Sequence, residues 1–117
     1  MEGPGIRVNR GNLSKIKGNS VSFCKCGIEI ISAQPTILMN KFFKNYESGI
    51  HSMAKKDLRC DCQILYNDVQ KNKENGIHCE GEFNNSIIAK NLNISQNSKA
   101  GIKISDSANV TIVNNTI

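Results

Sequence analysis

Residues 27–45 read Gly-Ile-Glu-Ile-Ile-Ser-Ala-Gln-Pro-Thr-Ile-Leu-Met-Asn-Lys-Phe-Phe-Lys-Asn, and this stretch decides the fold. It opens with Gly27-Ile28-Glu29-Ile30, an apolar–polar alternation with the period of a strand buried on one face. Helical spacing does not fit it. Next come Ile37, Asn40 and Phe42 in the pattern Ile-x-x-Asn-x-apolar, and then a second asparagine, Asn45. The whole succession recurs along the chain. Gly-Ile stands at positions 5, 27, 49, 76 and 101, in steps of 22, 22, 27 and 25 residues. The second motif follows each time: Ile16-x-x-Asn19-x-Val21, Ile37-x-x-Asn40-x-Phe42, Ile64-x-x-Asn67-x-Val69, Ile88-x-x-Asn91 with Ile94, and Ile112-x-x-Asn115-x-Ile117. Asn45, Asn72 and Asn97 recur behind it, with Cys24 in the equivalent place of the first unit.

A period of this kind, built from short strands separated by Asn, Gly and Ser turns, describes one coil of a solenoid. A single coil cannot bury its inner face, so successive coils must stack. Equivalent residues then lie about 4.8 Å apart, and five coils rise roughly 24 Å. Ile6, Ile28, Ile50, Ile77 and Ile102 form one internal column, and Val8, Ile30, Ser52, Cys79 and Ile104 its neighbour. Asn19, Asn40, Asn67, Asn91 and Asn115 form a ladder at a corner, each amide bonding to its counterparts above and below. The glycine ahead of each first strand suits a backbone bend.

Composition agrees. The chain has 117 residues, which is one domain, covering 1–117 with coils starting near 5, 27, 49, 76 and 101. It has 16 isoleucines, 16 asparagines and no tryptophan, so the core is aliphatic rather than ring-based. The net charge of +5 is scattered along the sequence, and no aromatic residues interleave with the cations as base-stacking platforms require, so no nucleic-acid partner is expected. No apolar run approaches the roughly 20 residues of a membrane span, so no membrane association is expected either. The start, Met1 to Val8, lacks the basic end and apolar stretch of a signal peptide, which sets the expectation of a cytoplasmic, reducing compartment. Five cysteines, an odd number, do not make a complete disulfide framework.

The unit Gly-Ile-x-Ile…Ile-x-x-Asn-x-Ile-x-x-Asn resembles the parallel β-helix repeat of the pectin-lyase-like superfamily over nearly the whole chain. Among its branches it looks closest to eukaryotic intracellular members, the β-helical F-box proteins and the spindle-associated Shc-binding β-helix proteins. The resemblance implies an all-β, right-handed parallel β-helix of about five coils that serves as a recognition or scaffolding surface. No F-box-like helical segment is present, so a ubiquitin-ligase role does not carry over. Glycan-attacking members use clustered carboxylates, often with calcium and an arginine base. Here only Asp57, Arg59 and Asp61 lie close enough in sequence to resemble such a set, Asp68 and Asp106 being distant.

The third unit carries extra residues at Met53–Cys62, and the fourth bulges in the same place at Glu80–Asn85. Stacked insertions make one rough face on a regular solenoid, and such faces bind partners. Lys55, Lys56, Arg59, Glu80, Glu82 and Phe83 are therefore the candidate contact residues, with Lys55, Lys56 and Arg59 placed to pair with Glu80 and Glu82 between loops. His51 and His78 both follow Gly-Ile and fall in an outward column with Arg7, Glu29 and Lys103. An imidazole pair near Cys-x-Cys invites a metal module, but paired zinc cysteines are normally two or more residues apart. The expectation is no metal and no cofactor, with the cysteines acting as small apolar fillers and Cys60 and Cys62 as the more reactive pair of the five. Asn-x-Ser/Thr triplets at Asn12, Asn84, Asn93, Asn109 and Asn114 are inert without secretion.

Neither end shows a polar cap, and solenoids need caps. This points to an uncapped fragment, or to a subunit whose ends other protein chains cover. The expected function is a non-catalytic scaffold or protein-recognition module in an intracellular assembly, with a cytoskeletal or ciliary setting. A carbohydrate-active or carbohydrate-binding β-helix is the alternative, and a metal-binding module is the third class.

Overall fold

A computed structural model describes residues 3–11 and 13–117; Met1, Glu2 and the triplet asparagine Asn12 lie outside the described residues. Among the described residues, fourteen short parallel strands wind around a common interior. The first coil contains β1 (Ile6–Val8), β2 (Lys15–Lys17) and β3 (Ser20–Ser22), and the second β4 (Ile28–Ile31), β5 (Thr36–Leu38) and β6 (Lys41–Phe43). The third has β7 (Ile50–Met53), β8 (Gln63–Leu65) and β9 (Asp68–Gln70), and the fourth β10 (Ile77–Glu80), β11 (Ile87–Ala89) and β12 (Asn93–Ser95). Two strands of a fifth coil follow, β13 (Ile102–Ser105) and β14 (Thr111–Val113). Four full coils and part of a fifth thus stand where the repeat leads one to expect five.

Each strand pairs only with its equivalents above and below, giving three sheets: β1-β4-β7-β10-β13, β2-β5-β8-β11-β14 and β3-β6-β9-β12. The registers bring like residues together. Ile6, Ile28, Ile50, Ile77 and Ile102 align in the first sheet, beside Val8, Ile30, Ser52, Cys79 and Ile104. Ile16, Ile37, Ile64, Ile88 and Ile112 align in the second, and Val21, Phe42, Val69 and Ile94 in the third. In the middle coils these side chains are wholly buried and form one core. The last coil leaves Ile104, Ile112 and Ile117 exposed. Leu92 is one residue more than the equivalent segment of the third coil holds between Asn67 and Val69. The register absorbs it, since Ile94 still faces Val69.

Both asparagine columns are continuous hydrogen-bonded ladders. In the first, the backbone N–H and Nδ2 of Asn40 both donate to Asn67 Oδ1, at 2.9 and 3.2 Å, and Asn67 donates in the same way to Asn91. The second amide hydrogen of Asn40, Asn67, Asn91 and Asn115 goes to the carbonyl of a second-sheet isoleucine, Ile37 in the case of Asn67 at 3.0 Å, and that of Asn19 to the Lys17 carbonyl. The second ladder runs Asn45, Asn72, Asn97, and the backbone N–H of Cys24 donates to Asn45 Oδ1 at 3.1 Å. The residue before each ladder position adopts a left-handed backbone: Gly18, Met39, Tyr66, Lys90 and Asn114 at one corner, and Phe23, Lys44, Lys71 and Gln96 at the other. For residues such as Met39 and Tyr66 this conformation costs about 1–2 kcal/mol each, which the buried amide bonds offset.

The repeat glycines sit at backbone bends, as expected, and packing gives a further reason for them. Gly27, Gly49, Gly76 and Gly101 do not have left-handed dihedrals; the positive-φ glycines are Gly11, Gly18 and Gly81. What excludes a side chain is packing. A Cβ on Gly49 would lie 2.6 Å from Val69 Cγ1, 2.8 Å from Asn72 Nδ2 and 3.0 Å from the Gly76 carbonyl. Glycine is there so that the first strand can pass against both the third sheet and the second ladder.

Candidate functional site

The outward column of the first sheet runs Arg7, Glu29, His51, His78, Lys103, as the alternation predicts. Arg7 Nε meets Glu29 Oε1 at 3.0 Å. One rung further, the parallel register places the two imidazoles face to face, with centroids 4.6 Å apart and planes inclined by 6°. The centroid distance is close to the spacing between neighbouring strands, so the backbone sets it. Two residues along β10, Glu80 points to the same side. Its carboxylate lies 3.5 Å from His51 Nε2 and 3.5 Å from His78 Nε2. Ser105, paired with Glu80 across β10 and β13, brings its hydroxyl to 2.8 Å from His78 Nε2. His51 Nε2 is buried and has no hydrogen-bond partner. Burial, and then the neighbouring His51, hold the His78 pKa below its ordinary value against the opposing pull of Glu80.

Glu80 therefore does not belong to the inserted loop, where the sequence puts it. It is the last residue of β10, and its carboxylate faces the histidines rather than Lys55, Lys56 or Arg59. Arg59 pairs within its own loop, its Nε 2.7 Å from Asp61 Oδ2. Among the described residues no ion pair joins Lys55 or Lys56 to Glu80 or Glu82. Residues 54–62 and 81–86 do stack as expected. Cys60 N donates to Phe83 O at 3.1 Å, Asn85 N to Asp61 Oδ1 at 3.2 Å, and the Ser86 hydroxyl to Cys60 O at 3.0 Å. Buried Asn84 ties the fourth-coil loop to Ser52 in β7 through its Nδ2. So fastened, the two loops expose Lys55, Lys56, Leu58, Arg59, Glu82 and Phe83. Asp57, Leu58 and Arg59 also line a cleft of about 310 Å³ with Arg10, Gly11, Ser32 and Gln34.

The inserted cysteines turn inward. Cys60 and Cys62 are fully buried with their sulfurs 3.8 Å apart, and Ser52 Oγ lies 3.2 and 3.7 Å from them. Thiols in this position fill core space beneath the loop, which removes the accessible reactive pair that the loop location suggests. The hydrogen bond between them draws the Cys60 pKa down and holds Cys62 well above its ordinary value, and burial pushes Cys79 up to about 12.

A second surface has no counterpart in the sequence reading. Met39, Tyr66 and Leu92 line a groove of about 430 Å³ at the first ladder corner, with Gly18, Lys41 and Asp68. Met39 is 53% and Leu92 62% exposed. Aligning the repeats on the ladder asparagine and reading the column before it, Gly18, Met39, Tyr66, Lys90, supplies the missed signal: two large apolar residues at an outward corner.

Comparison of the chain with curated proteins and with solved structures gives no match. A family model described as "Right handed beta helix region" matches residues 1–117. With three parallel sheets stacked from one recurring unit, and that match spanning the whole chain, the protein belongs to the right-handed β-helix family.

Proposed function

We propose that this β-helix is a rigid, non-catalytic scaffold or protein-recognition module whose contact surface is the pair of stacked loops in the third and fourth coils. One observation carries the reading. The loops are fastened to each other and to β7 by buried hydrogen bonds, yet leave Lys55, Lys56, Leu58, Arg59 and Phe83 facing outward. A preorganised surface that sets Lys55, Lys56 and Arg59 among Asp57, Asp61 and Glu82 around two large apolar groups binds with little ordering cost and suits a protein partner with apolar anchors and charges of both signs. Other chains covering the coil ends would add a second contact. An intracellular, cytoskeletal or ciliary assembly is the setting that the resemblance to spindle-associated members favours.

The test is quantitative affinity purification of the intact chain beside a K55E/K56E/R59E variant and a K71E/K73E control. The loop variant is expected to lose specific partners that the control retains. Equal recovery by both variants refutes the loop surface. Carbohydrate binding is the second reading, favoured by Asp57, Arg59 and Arg10 lining one cleft. Against it, Asp61 is already engaged by Arg59 and by the Asn85 N–H. Binding to a glycan array that is lost in D57N would favour carbohydrate over protein.

A further inference from the structure

We propose that His51, His78 and Glu80 form a binding site for a single transition-metal dication, on the outer wall of the first sheet where the inserted loops begin. Their candidate ligand atoms all lie within 4.8 Å of one another, and among the described residues no other group of three or more His, Cys, Asp or Glu side chains meets that condition. Strand pairing brings them together. His51 and His78 are direct register partners, and Glu80 follows two residues after His78 on the same face of β10.

The site has an unmet demand. His51 Nε2 is buried and lacks a hydrogen-bond partner, although a carboxylate oxygen is only 3.5 Å away. That separation exceeds a normal N–H···O bond, as does the 3.5 Å from His78 to the same carboxylate. A buried polar atom left unpaired is costly. A dication meets that demand, because it takes a lone pair from each imidazole and balances the carboxylate. Two imidazole nitrogens and one carboxylate oxygen are the ligand types that suit zinc, cobalt, nickel or copper rather than magnesium or calcium. Three protein ligands leave a further coordination position open.

Closing the site requires the two rings to reorient. At metal–nitrogen distances of about 2.0–2.1 Å, the two Nε2 atoms of a tetrahedral site would stand about 3.3 Å apart. Each ring must therefore swing out of its stacked plane toward Glu80, and the Ser105 hydroxyl must release His78 Nε2. Lys103, on the next rung, disfavours positive charge at His78, and the Asp106 carboxylate favours it. The Cys60-x-Cys62 pair and Cys79 take no part, because all three are buried on the core side of the wall.

The experiment is titration of the reduced, metal-stripped chain with cobalt(II), followed by visible and near-ultraviolet absorption. The expected result is one equivalent bound, with ligand-field bands and no thiolate-to-cobalt charge-transfer band. Binding should weaken at least tenfold in E80Q and be lost in H51Q/H78Q. Zinc should displace the cobalt and shift the imidazole nitrogen resonances of both histidines in the wild-type chain, a measurement that stands even where the double variant fails to fold. A thiolate charge-transfer band, E80Q binding equal to wild type, or unmoved histidine resonances under saturating zinc would each overturn the proposal.

Discussion

Replacing Asn67 with alanine tests whether the ladder holds the coils together. Asn67 is wholly buried, and its side chain makes four hydrogen bonds: Oδ1 accepts from Asn40 N and Asn40 Nδ2, and Nδ2 donates to Ile37 O and Asn91 Oδ1. After truncation, Asn91 Oδ1 still receives the Asn67 N–H, and Asn40 Nδ2 still reaches Ile16 O. The Asn40 N–H is orphaned inside the protein, at a cost of about 1–3 kcal/mol, and the other lost bonds add about 0.5–1.5 kcal/mol each. The expected loss is thus about 2.5–7.5 kcal/mol, a large share of the ~5–15 kcal/mol that holds a domain folded. Asn19→Ala is the control. That side chain is exposed at the end of the ladder, and Asn40 Oδ1 keeps the Asn19 N–H, so its loss should stay below about 1 kcal/mol. Urea unfolding followed by far-ultraviolet circular dichroism measures both. Hydrogen exchange of β5, β8 and β11 then locates the weakened coil, since solenoids can open one unit at a time. If the two variants differ by less than about 0.5 kcal/mol, burial of the amide contributes nothing and the reasoning fails.

Gly49→Ala should cost about 1–3 kcal/mol by overpacking against Val69 and Asn72. Gly101→Ala, whose nearest contact would be the exposed Ile117 at 3.2 Å, should cost well under half of that in the same urea experiment. Cys79 has a folded pKa raised from 9.0 to about 12, so its contribution is complete below pH 9 and declines as pH rises toward 12, because the unfolded chain releases the thiol proton first. The wild-type urea midpoint should fall more steeply over that window than that of Cys79→Ala, and parallel slopes would refute the assignment. Mass-spectrometric mapping of alkylation at neutral pH should find Cys24, half-buried, modified first, with Cys60, Cys62 and Cys79 protected until the chain unfolds. Early labelling of Cys60 would contradict its place in the core.

The recurring Gly-Ile and Ile-x-x-Asn motifs were enough to read the inner columns of the first sheet and the ladder from Asn19 to Asn115, because each type of residue meets its own kind one rung away; Asn45, Asn72 and Asn97 were visible as a recurrence, and the structure makes them a second ladder. The outward histidine column was legible for the same reason, since His51 and His78 share a position after Gly-Ile. The environment of that pair was not. Whether Glu80 belongs to the strand or to the bulge depends on where β10 ends, and strand ends are set by backbone pairing with Met53 and Ser105 that no local pattern announces. Cys60 and Cys62 are the small apolar fillers expected of the cysteines, and only their reading as a loop-exposed reactive pair fails, because an insertion reads as surface, whereas this one returns to the core for its last residues. The left-handed corners at Met39, Tyr66, Lys44 and Phe23 were equally hidden, since none of these residue types favours that conformation and only the stacked neighbours enforce it.

A parallel coil with a fixed rung spacing forces like side chains into contact, and the consequence depends on their chemistry. Isoleucines gain a shared core and asparagines a chain of amide bonds, so both are stabilised by repetition. Charged groups are not, and the outward column of the first sheet shows how the chain manages them: Arg7 is followed by Glu29, so one pair is complementary. The next pair, His51 over His78, is the exception, because two identical titratable rings stand at the spacing of adjacent strands with a single carboxylate before them. A regular wall would have separated them by a neutral or opposite residue. They lie where β7 and β10 run into the inserted loops, so this pair of like side chains adjoins the irregular face. An ion at His51, His78 and Glu80 would brace the strands from which both loops spring, coupling occupancy of the wall to the geometry of Lys55, Arg59 and Phe83.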